Sequence, residues 1–344
     1  MSRLEHLQAQ LELPLIVTTP VNVLYLTGLS SSNAAVVVES DRARLYTDFR
    51  YFERAQAVAG VEAIETPRDV LPALSNLLSG RFGFEADHVT YAGWQTLGSG
   101  GLELVATQGV VEALRAVKEP AELDAIRAAA AISDRAYEAL AQERFTGRSE
   151  RELAWTLDRL MHDFGSEGPG FETIVAAGEN GSRPHAVPGD TPIEAGTLVT
   201  IDAGATVGGY RSDCTRTFAT GELPGELARI YAICLEAELA GVTAVRAGIT
   251  GVEGDAASRR VIEAAGYGER FGHGLGHGVG LLIHEAPAMR PESTETLVAG
   301  NIVTVEPGIY LPGVGGVRIE DLVTVTEGGC EILTRFTKDL VTVS

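Results

Sequence analysis

The chain is short of cysteine, of long apolar runs and of positive charge. Its three cysteines, Cys214, Cys234 and Cys330, are odd in number and far apart, which excludes a disulfide framework and a CxxC metal site. No apolar run approaches the roughly 18 residues that a membrane-spanning helix needs. Glu5 and Glu12 interrupt the stretch where a secretory signal would have its apolar core. We therefore expect a cytoplasmic protein that has no membrane partner.

The shortage of positive charge limits the partners. Lys and Arg number 27 against 47 Asp and Glu, so the formal net charge is −20. Nucleic acid and anionic membranes are also negatively charged, and both are therefore disfavoured as partners. The charge is consistent with a soluble acidic surface, or with mild attraction of substrates that carry a free amino terminus.

Hydrophobic patterning predicts two domains. Residues 13–110 alternate apolar strands such as LPLIVTT, AAVVVES and ARLYTDF with helical stretches such as FERAQAVAG, an α/β pattern. Glu119-Pro120 then precedes a strong helix-forming segment, and after a second helix the chain becomes rich in strands, Gly and Pro. We expect an α/β leading domain over residues 1–114 and a second domain over residues 115–344.

An internal repeat in the second domain places acids in matched positions. The segments LVTIDAGATVGGYRSDCTRTF (198–218) and IVTVEPGIYLPGVGGVRIEDLVTV (302–325) each contain a strand ending in an acid, a Gly-rich turn and a returning strand with another acid. Side chains alternate between the two faces of a strand, so the acids of each pair should share the polar face. The pairs are Asp202 with Asp213 and Glu306 with Glu320.

Four acids on apolar strands repel one another and lose hydration, a cost that a cation between them removes. A single acid in such a place is commonly protonated or lies at a hydrated sheet end, but four in matched positions indicate a metal site. Four carboxylates and one imidazole suit two divalent ions. The oxygen-rich donor set makes Mn²⁺ the ion we expect, with Co²⁺, Fe²⁺ and Zn²⁺ as alternatives.

The segment FGHGLGHGVGLLIHE (271–285) supplies three imidazoles, those of His273, His277 and His284. Two of them are four residues apart, as in zinc-binding helices, but five alternate glycines would each cost a helix about 1 kcal/mol. We therefore predict an extended segment with His273 and His277 on one face. The glycines should allow this backbone to pass close to the metals.

These motifs resemble the dinuclear metallopeptidases of the pita-bread fold, and among them the Xaa-Pro peptidases, prolidase and aminopeptidase P. DAG and SDCTRTF carry the aspartates, GHGLGHGVGLLIHE the histidines, and VEPGIY and GGVRIEDLV the glutamates. PVNVLYLTG, LYTDFRYFERA and LRAVKEPAELDAIRAA also resemble the creatinase-type leading domain and its junction. The resemblance implies a creatinase-type α/β N-terminal domain, a pita-bread catalytic domain with a curved antiparallel sheet, and a homodimer.

The same resemblance implies roles for individual residues. The metal ligands would be Asp202, Asp213, His277, Glu306 and Glu320. A hydroxide that bridges the ions would attack the carbonyl of the scissile bond, while Glu306 carries the proton to the departing proline nitrogen. His185 and His284 would stabilise the oxyanion. The remaining residues assigned to substrate binding or to its surroundings are His273, Tyr310 and Arg318.

The predicted reaction is hydrolysis of the Xaa-Pro bond at peptide N-termini, and the compact length, similar to small microbial prolidases, favours Xaa-Pro dipeptides. A dipeptidase needs a cation for the free proline carboxylate, and the candidates are Arg50, Arg183 and Arg290. The main alternative is an aminopeptidase P, which acts on longer peptides and leaves that end open. Two further alternatives fit less well. A non-catalytic peptide-binding relative would have lost ligands, and a metal-free creatinase-like enzyme would leave the four acids unexplained.

Overall fold

The computed structural model describes residues 2–344, and the chain divides after Arg115 into two compact units. Strands and helices alternate in the leading unit, as the hydrophobic pattern predicts. Its strands are β1 (Leu15–Val17), β2 (Ala34–Val38), β3 (Ala43–Thr47), β4 (Glu62–Glu65), β5 (Arg81–Glu85) and β6 (Glu103–Thr107). Its helices are α1 (Arg3–Gln10), α2 (Pro20–Thr27), α3 (Phe49–Ala55), α4 (Val70–Leu77), α5 (Tyr91–Gly98) and α6 (Val110–Ala116).

The strands of the leading unit form one mixed sheet in the order β4-β3-β2-β1-β5-β6. The pairs β1–β2 and β2–β3 are antiparallel and the other three are parallel. All of β1 and most of β2 are buried, which explains why both strands are continuous apolar runs instead of alternating ones. The α/β class expected for this part of the chain is confirmed.

The second unit combines long helices with antiparallel strands. Its helices are α7 (Pro120–Leu140), α8 (Glu150–Asp163), α9 (Gly225–Ala244) and α10 (Gly251–Ala264). Its first strands are β7 (Ile174–Ala177), β8 (Leu198–Ala203), β9 (Thr206–Val207), β10 (Tyr210–Arg211) and β11 (Cys214–Ala219). The later strands are β12 (Gly276–Gly278), β13 (Glu285–Met289), β14 (Ile302–Val305), β15 (Gly308–Leu311), β16 (Gly315–Arg318), β17 (Asp321–Val325) and β18 (Cys330–Ile332).

Strand pairing in this unit is antiparallel throughout the part of the chain that the structure describes. The strands form a three-stranded sheet, β11-β8-β7, a five-stranded sheet, β13-β12-β14-β17-β18, and the hairpins β9–β10 and β15–β16. The two sheets meet where the Glu320 backbone N–H donates to the Thr215 carbonyl at 3.1 Å. Because Thr215 belongs to the first copy of the internal repeat and Glu320 to the second, this junction brings the two copies together.

The hairpin turns predicted from the repeat are present. Gly208 and Gly209, between β9 and β10, have φ values of 57° and 78°, the left-handed pair that a two-residue turn of type I′ requires. Gly313, between β15 and β16, has φ 75°. Each turn returns the chain beside its own strand and so brings the second acid of each pair back toward the first.

Strand alternation sorts apolar from polar residues as the sequence predicts. Val199 and Ile201 of β8 pack into a core with residues of α7 and α8. Val303 and Val305 of β14 pack into a second core with residues of α9 and α10. The polar residues that alternate with these apolar residues along β8 and β14 therefore face away from both cores.

Helices α7 and α8, like α1 and α10, begin with capping boxes. Pro120 is in the first turn of α7, after a capping box formed by Glu119 and Glu122. Ser149, the N-cap residue, and Glu152 form the capping box of α8. Among the described helices, none combines the length and the apolar content needed to cross a membrane.

Candidate active site

Four carboxylates converge where the two copies of the repeat meet. Asp202 lies in β8 and Asp213 directly before β11, whereas Glu306 directly follows β14 and Glu320 joins β16 to β17. One side-chain oxygen each from Asp202, Asp213 and Glu320 lies within 4.8 Å of the other two. The matched acids thus form one cluster, as strand alternation predicts.

His277 joins this cluster from β12. Its Nε2 atom lies 3.3 Å from Oε1 of Glu306 and 3.6 Å from Oδ2 of Asp213. The Thr304 hydroxyl accepts the His277 backbone N–H at 3.1 Å and donates to Oε1 of Glu306 at 3.0 Å. One hydroxyl therefore fixes both the backbone that carries His277 and the carboxylate of Glu306.

The acids lack enough positive charge to ionise independently. Burial, together with the nearby Glu320 carboxylate, raises the pKa of Asp213 well above its usual range. Burial and the charge of Glu306 do the same to the pKa of Glu320. Burial also opposes ionisation of Glu306, but the hydrogen bond from His277 and the charges of His277, His273 and Arg318 together outweigh it and lower the pKa of Glu306 to about 2. Without an added cation, Asp213 and Glu320 therefore keep their protons to a higher pH than ordinary carboxyl groups do.

The donor set fits divalent metal ions. Oδ1 of Asp202 is buried and has no hydrogen-bond partner among the residues that the structure describes. An orphaned buried acceptor is costly, and a cation beside it removes that cost. Three carboxylates with close oxygens, a fourth acid and an imidazole are donors that divalent metal ions accept.

Arg318 orients the carboxylates of the acid cluster through hydrogen bonds. Its Nη2 atom donates to Oδ2 of Asp202 at 2.8 Å, and its Nε atom donates to the Thr215 hydroxyl at 3.1 Å. That hydroxyl donates in turn to Oε2 of Glu320 at 2.7 Å. Arg318 also donates to the Tyr310 hydroxyl at 2.9 Å. This is the arrangement in which an outer layer of hydrogen bonds fixes ligand geometry.

Thr215 and Thr304 were missed by the sequence reasoning. Thr215 lies two residues after Asp213 and Thr304 two residues before Glu306, so each shares a strand face with a cluster acid. That spacing was the available signal.

The glycine-rich segment is not helical, as predicted, and forms strand β12 over Gly276–Gly278, where the glycines are packed against neighbouring strands. A Cβ atom at Gly276 would collide with the Thr304 carbonyl of β14, and one at Gly278 would collide with the Ala286 carbonyl of β13. These two glycines therefore allow close approach of the neighbouring strands, and approach of this backbone to the metals stays a prediction.

The acid cluster opens into a cavity of about 480 Å³. Its lining includes the cluster acids, Arg318 and four imidazoles, those of His185, His273, His277 and His284. The ring of His284 meets that of His277 edge-on, with centroids 4.3 Å apart. Tyr310 is buried behind His273, whose Nε2 atom lies 2.9 Å from the tyrosine hydroxyl. The histidines that the sequence singled out are thus together, with Tyr310 as a supporting residue.

The three arginines proposed for the substrate carboxylate have different environments. Arg290 lines the cavity. Arg183 is in the same unit but, in the described part of the chain, it is absent from the lining and donates to Oδ1 of Asn180 at 3.1 Å. Arg50 is in the leading unit, where its guanidinium donates to Asp48 at 2.9 and 2.7 Å.

Comparison with known proteins matches both units to described families. The model of metallopeptidase family M24 matches residues 124–327, and that of the creatinase/prolidase N-terminal domain matches residues 3–117. A Xaa-Pro dipeptidase of Pyrococcus furiosus is 37% identical to this chain over 94% of both chains.

Solved structures agree with these matches. A Xaa-Pro dipeptidase from Bacillus anthracis superimposes with a TM-score of 0.96, at 38% identity over 99% of both chains. An X-Pro aminopeptidase from Thermotoga maritima superimposes with a TM-score of 0.88, at 33% identity over 96% of this chain and 97% of the other. With the acid cluster and its imidazoles in place, these matches establish that the chain belongs to metallopeptidase family M24 and carries a creatinase/prolidase N-terminal domain.

Proposed function

We propose that this chain is a metal-dependent peptidase that hydrolyses the bond between an N-terminal residue and proline, with Xaa-Pro dipeptides as its main substrates. The observation that carries the proposal is the cluster of Asp202, Asp213 and Glu320, whose oxygens lie within 4.8 Å of one another at a cavity lined by imidazoles and Arg290. Relatives named Xaa-Pro dipeptidase and X-Pro aminopeptidase support the same reaction class.

Two divalent ions would be held by five residues: Asp202, Asp213, His277, Glu306 and Glu320. Mn²⁺ is the ion that this oxygen-rich set favours. When bound, the ions supply a hydroxide nucleophile at neutral pH and polarise the peptide carbonyl. Glu306 would accept the proton of the attacking hydroxide and deliver it to the proline nitrogen as the bond breaks.

His284 and His185 stabilise the oxygen of the scissile carbonyl. Burial and the neighbouring His277 lower the pKa of His284, so its ring is neutral near neutral pH and donates one N–H. A donor placed for the developing oxyanion strengthens its bond as negative charge grows on that oxygen, and so lowers the barrier. His273, whose pKa is lowered chiefly by burial, is also neutral and lines the pocket for proline.

Arg290 binds the free carboxylate of the dipeptide. It lines the cavity, and a guanidinium can hold a carboxylate through two parallel hydrogen bonds. A dipeptide satisfies this cation, whereas a longer peptide or a proline amide presents no charge to it. This distinction separates a dipeptidase from an aminopeptidase that acts on longer chains.

The test compares Ala-Pro, Ala-Pro amide and Ala-Pro-Ala with metal-stripped protein, with and without added Mn²⁺. We expect Mn²⁺-dependent cleavage with Ala-Pro strongly preferred. Arg290→Met should raise KM for Ala-Pro about 10- to 100-fold, the value of about 1.5–3 kcal/mol for a hydrogen bond to a charged group. Arg183→Met, which removes an arginine outside the cavity lining, is the matched control and should change KM less than about twofold.

Three outcomes would contradict parts of this proposal. Equal cleavage of Ala-Pro and Ala-Pro-Ala would favour an aminopeptidase with an open end. If Arg290→Met still prefers Ala-Pro as strongly as wild type does, Arg290 does not bind the substrate carboxylate. A lack of Mn²⁺-dependent cleavage of any of these substrates would overturn the peptidase itself.

We also propose that the chain forms a homodimer. Sedimentation velocity should then give about twice the chain mass of 36.3 kDa, and a monomer at micromolar concentration would contradict the proposal.

A further inference from the structure

The loop between β7 and β8 carries His185 and forms one wall of the cavity. Five consecutive residues of the loop, Pro184 to Pro188, line that cavity. The His185 side chain is exposed and makes no hydrogen bond among the described residues. Since nothing holds the imidazole itself, its position depends on how the loop backbone is fixed.

One buried carboxylate bonds to both ends of residues 178–189, the part of this loop that carries His185. Glu150, in the first turn of α8, is 6% exposed. Its Oε1 atom accepts the backbone N–H of Ala177, at the start of the loop, at 2.7 Å. Its Oε2 atom accepts the backbone N–H of Gly189, at the far end, at 2.7 Å and the side-chain amide of Asn180 at 2.8 Å.

The surrounding contacts extend this attachment across the loop. The Asn180 amide that donates to Glu150 also donates to the Val187 carbonyl at 3.2 Å. The Arg151 backbone N–H donates to the Gly189 carbonyl at 3.1 Å. The carboxylate therefore sits at the centre of the bonds that join the two ends and the middle of the loop to the start of α8.

A neutral side chain could not replace Glu150 without loss. All three partners are N–H donors, and each oxygen of an ionised carboxylate can accept from them. An amide has one acceptor oxygen and one NH₂ group, so glutamine would turn a donor toward at least one of these donors. Glu150 also lies in the first turn of α8, where the helix dipole favours a negative charge.

We propose that Glu150 is a positioning residue that holds His185 at the cavity by pinning both ends of the loop of residues 178–189. The inference rests on the proposed function for the task of His185, but the attachment of the loop can be measured without any turnover.

The helix offers a matched control. Glu152 is in the same first turn, is exposed, and accepts the Ser149 backbone N–H at 2.7 Å as part of the capping box. Glu150→Gln and Glu152→Gln therefore remove the same charge from the same helix end, and only Glu150 touches the loop. Any effect of net charge at the helix end appears in both variants, whereas an effect on the capping box appears only in Glu152→Gln.

The first measurement is hydrogen exchange of the metal-free protein over peptides covering residues 178–189. Glu150→Gln should raise the exchange rate of this loop about tenfold or more relative to Glu152→Gln, while exchange elsewhere stays the same. Equal exchange in the two variants would overturn the inference, whether or not the protein cleaves Ala-Pro. If Glu150→Gln does not fold, Glu150→Asp, which keeps the charge but shortens its reach, takes its place.

The second measurement is a double-mutant cycle for Ala-Pro cleavage with Mn²⁺. Glu150→Gln should lower kcat about tenfold or more with KM within about twofold, since displacement by about 1 Å has effects of this size. Combined with His185→Ala, the same change should cost less than about twofold. A loss that is equal with and without His185 would show a general structural role and overturn the inference. An inactive wild type would instead overturn the proposed function and leave the exchange result to decide the role of Glu150.

Discussion

Asp213→Asn should stabilise the metal-free protein while abolishing its response to Mn²⁺. Asp213 is buried among acids that repel its charge, and burial followed by the Glu320 carboxylate raises its pKa well above the usual range. Removing this charge relieves the repulsion without changing the size of the side chain. The same change removes an oxygen that the ions require.

The distances within the acid cluster set the size of the expected stabilisation. Two unit charges 4.8 Å apart, the limit of the oxygen separations here, repel by about 3.5 kcal/mol at an effective dielectric constant of about 20. Protonation already relieves part of this cost, since the raised pKa keeps some carboxyl groups neutral. We therefore expect a gain of about 1–2 kcal/mol, which for a domain of this size is roughly 2–8 °C in Tm.

The pH dependence of stability separately tests whether Asp213→Asn stabilises the metal-free protein. When the pKa of a carboxyl is raised by folding, the folded state binds more protons than the unfolded state between the two pKa values. Its destabilising effect is therefore complete above the folded pKa and disappears as the pH falls toward the unfolded value near 3.9. The advantage of Asp213→Asn over wild type should accordingly be largest near pH 8 and shrink by pH 5.

Thermal unfolding in the presence of a chelator, and again with Mn²⁺ at about 100 times its Kd, provides the assay. Bound metal should stabilise wild type by about 2.7 kcal/mol and leave Asp213→Asn unchanged. Asp163→Asn is the control, because it removes one charge from the exposed pair with Arg159. A metal-free Asp213→Asn that is less stable than this control at pH 8, or that keeps its response to Mn²⁺, would refute the reasoning.

Two further substitutions test the fold around the site. Gly276→Ala should destabilise the protein by about 3 kcal/mol or more, because the new Cβ atom would collide with a backbone carbonyl of β14. Gly272→Ala is the control: the position has open space around it, so the change should cost less than about 1 kcal/mol. Equal losses of unfolding free energy in chemical denaturation would contradict this account. Lys118→Met should cost about 3–5 kcal/mol, because it leaves the buried carboxylate of Glu285 without the ammonium group that lies 3.3 Å from it. Suppression of that loss by Glu285→Gln in the same denaturation assay is expected, and no suppression would refute the pairing.

Much of the fold follows from local patterns, and the exceptions have physical causes. Capping boxes and regular apolar spacing indicate helices α7 and α8. Helix α2, PVNVLYLT, was not predicted because its β-branched and aromatic residues favour strands; it forms because Pro20 starts it and Gly28 ends it at φ 70°. Helix α10 was also missed, since Gly251 and Gly254 lower its propensity, yet close packing against the Ala288 carbonyl and the sulfur of Met289 leaves no room for larger residues.

The residues of the candidate site likewise include some that the sequence could predict and some that it could not. The acids could be found from the sequence because strand alternation and hairpin turns bring i and i+2 positions to predictable faces. The loop residues could not be ranked, since the difference between Arg290 and Arg183 depends on the path of irregular backbone. The attachment by Glu150 was also beyond the sequence. Its three bonds join residues 27, 30 and 39 positions apart, and no local period reports such contacts.

The adjacent acids Glu320 and Asp321 show how the fold reserves charge for metal ions. Alternation turns them to opposite sides, and burial opposes ionisation of both. Arg216 lies 2.8 Å from Asp321 and, with Lys338, outweighs that burial and lowers its pKa. Glu320 is held instead by the Thr215 hydroxyl, which orients the carboxylate without neutralising it, and its pKa is raised. A hydroxyl on the cavity side supplies no positive charge of its own, so it does not cancel the attraction between Glu320 and a bound cation as a directly paired arginine would.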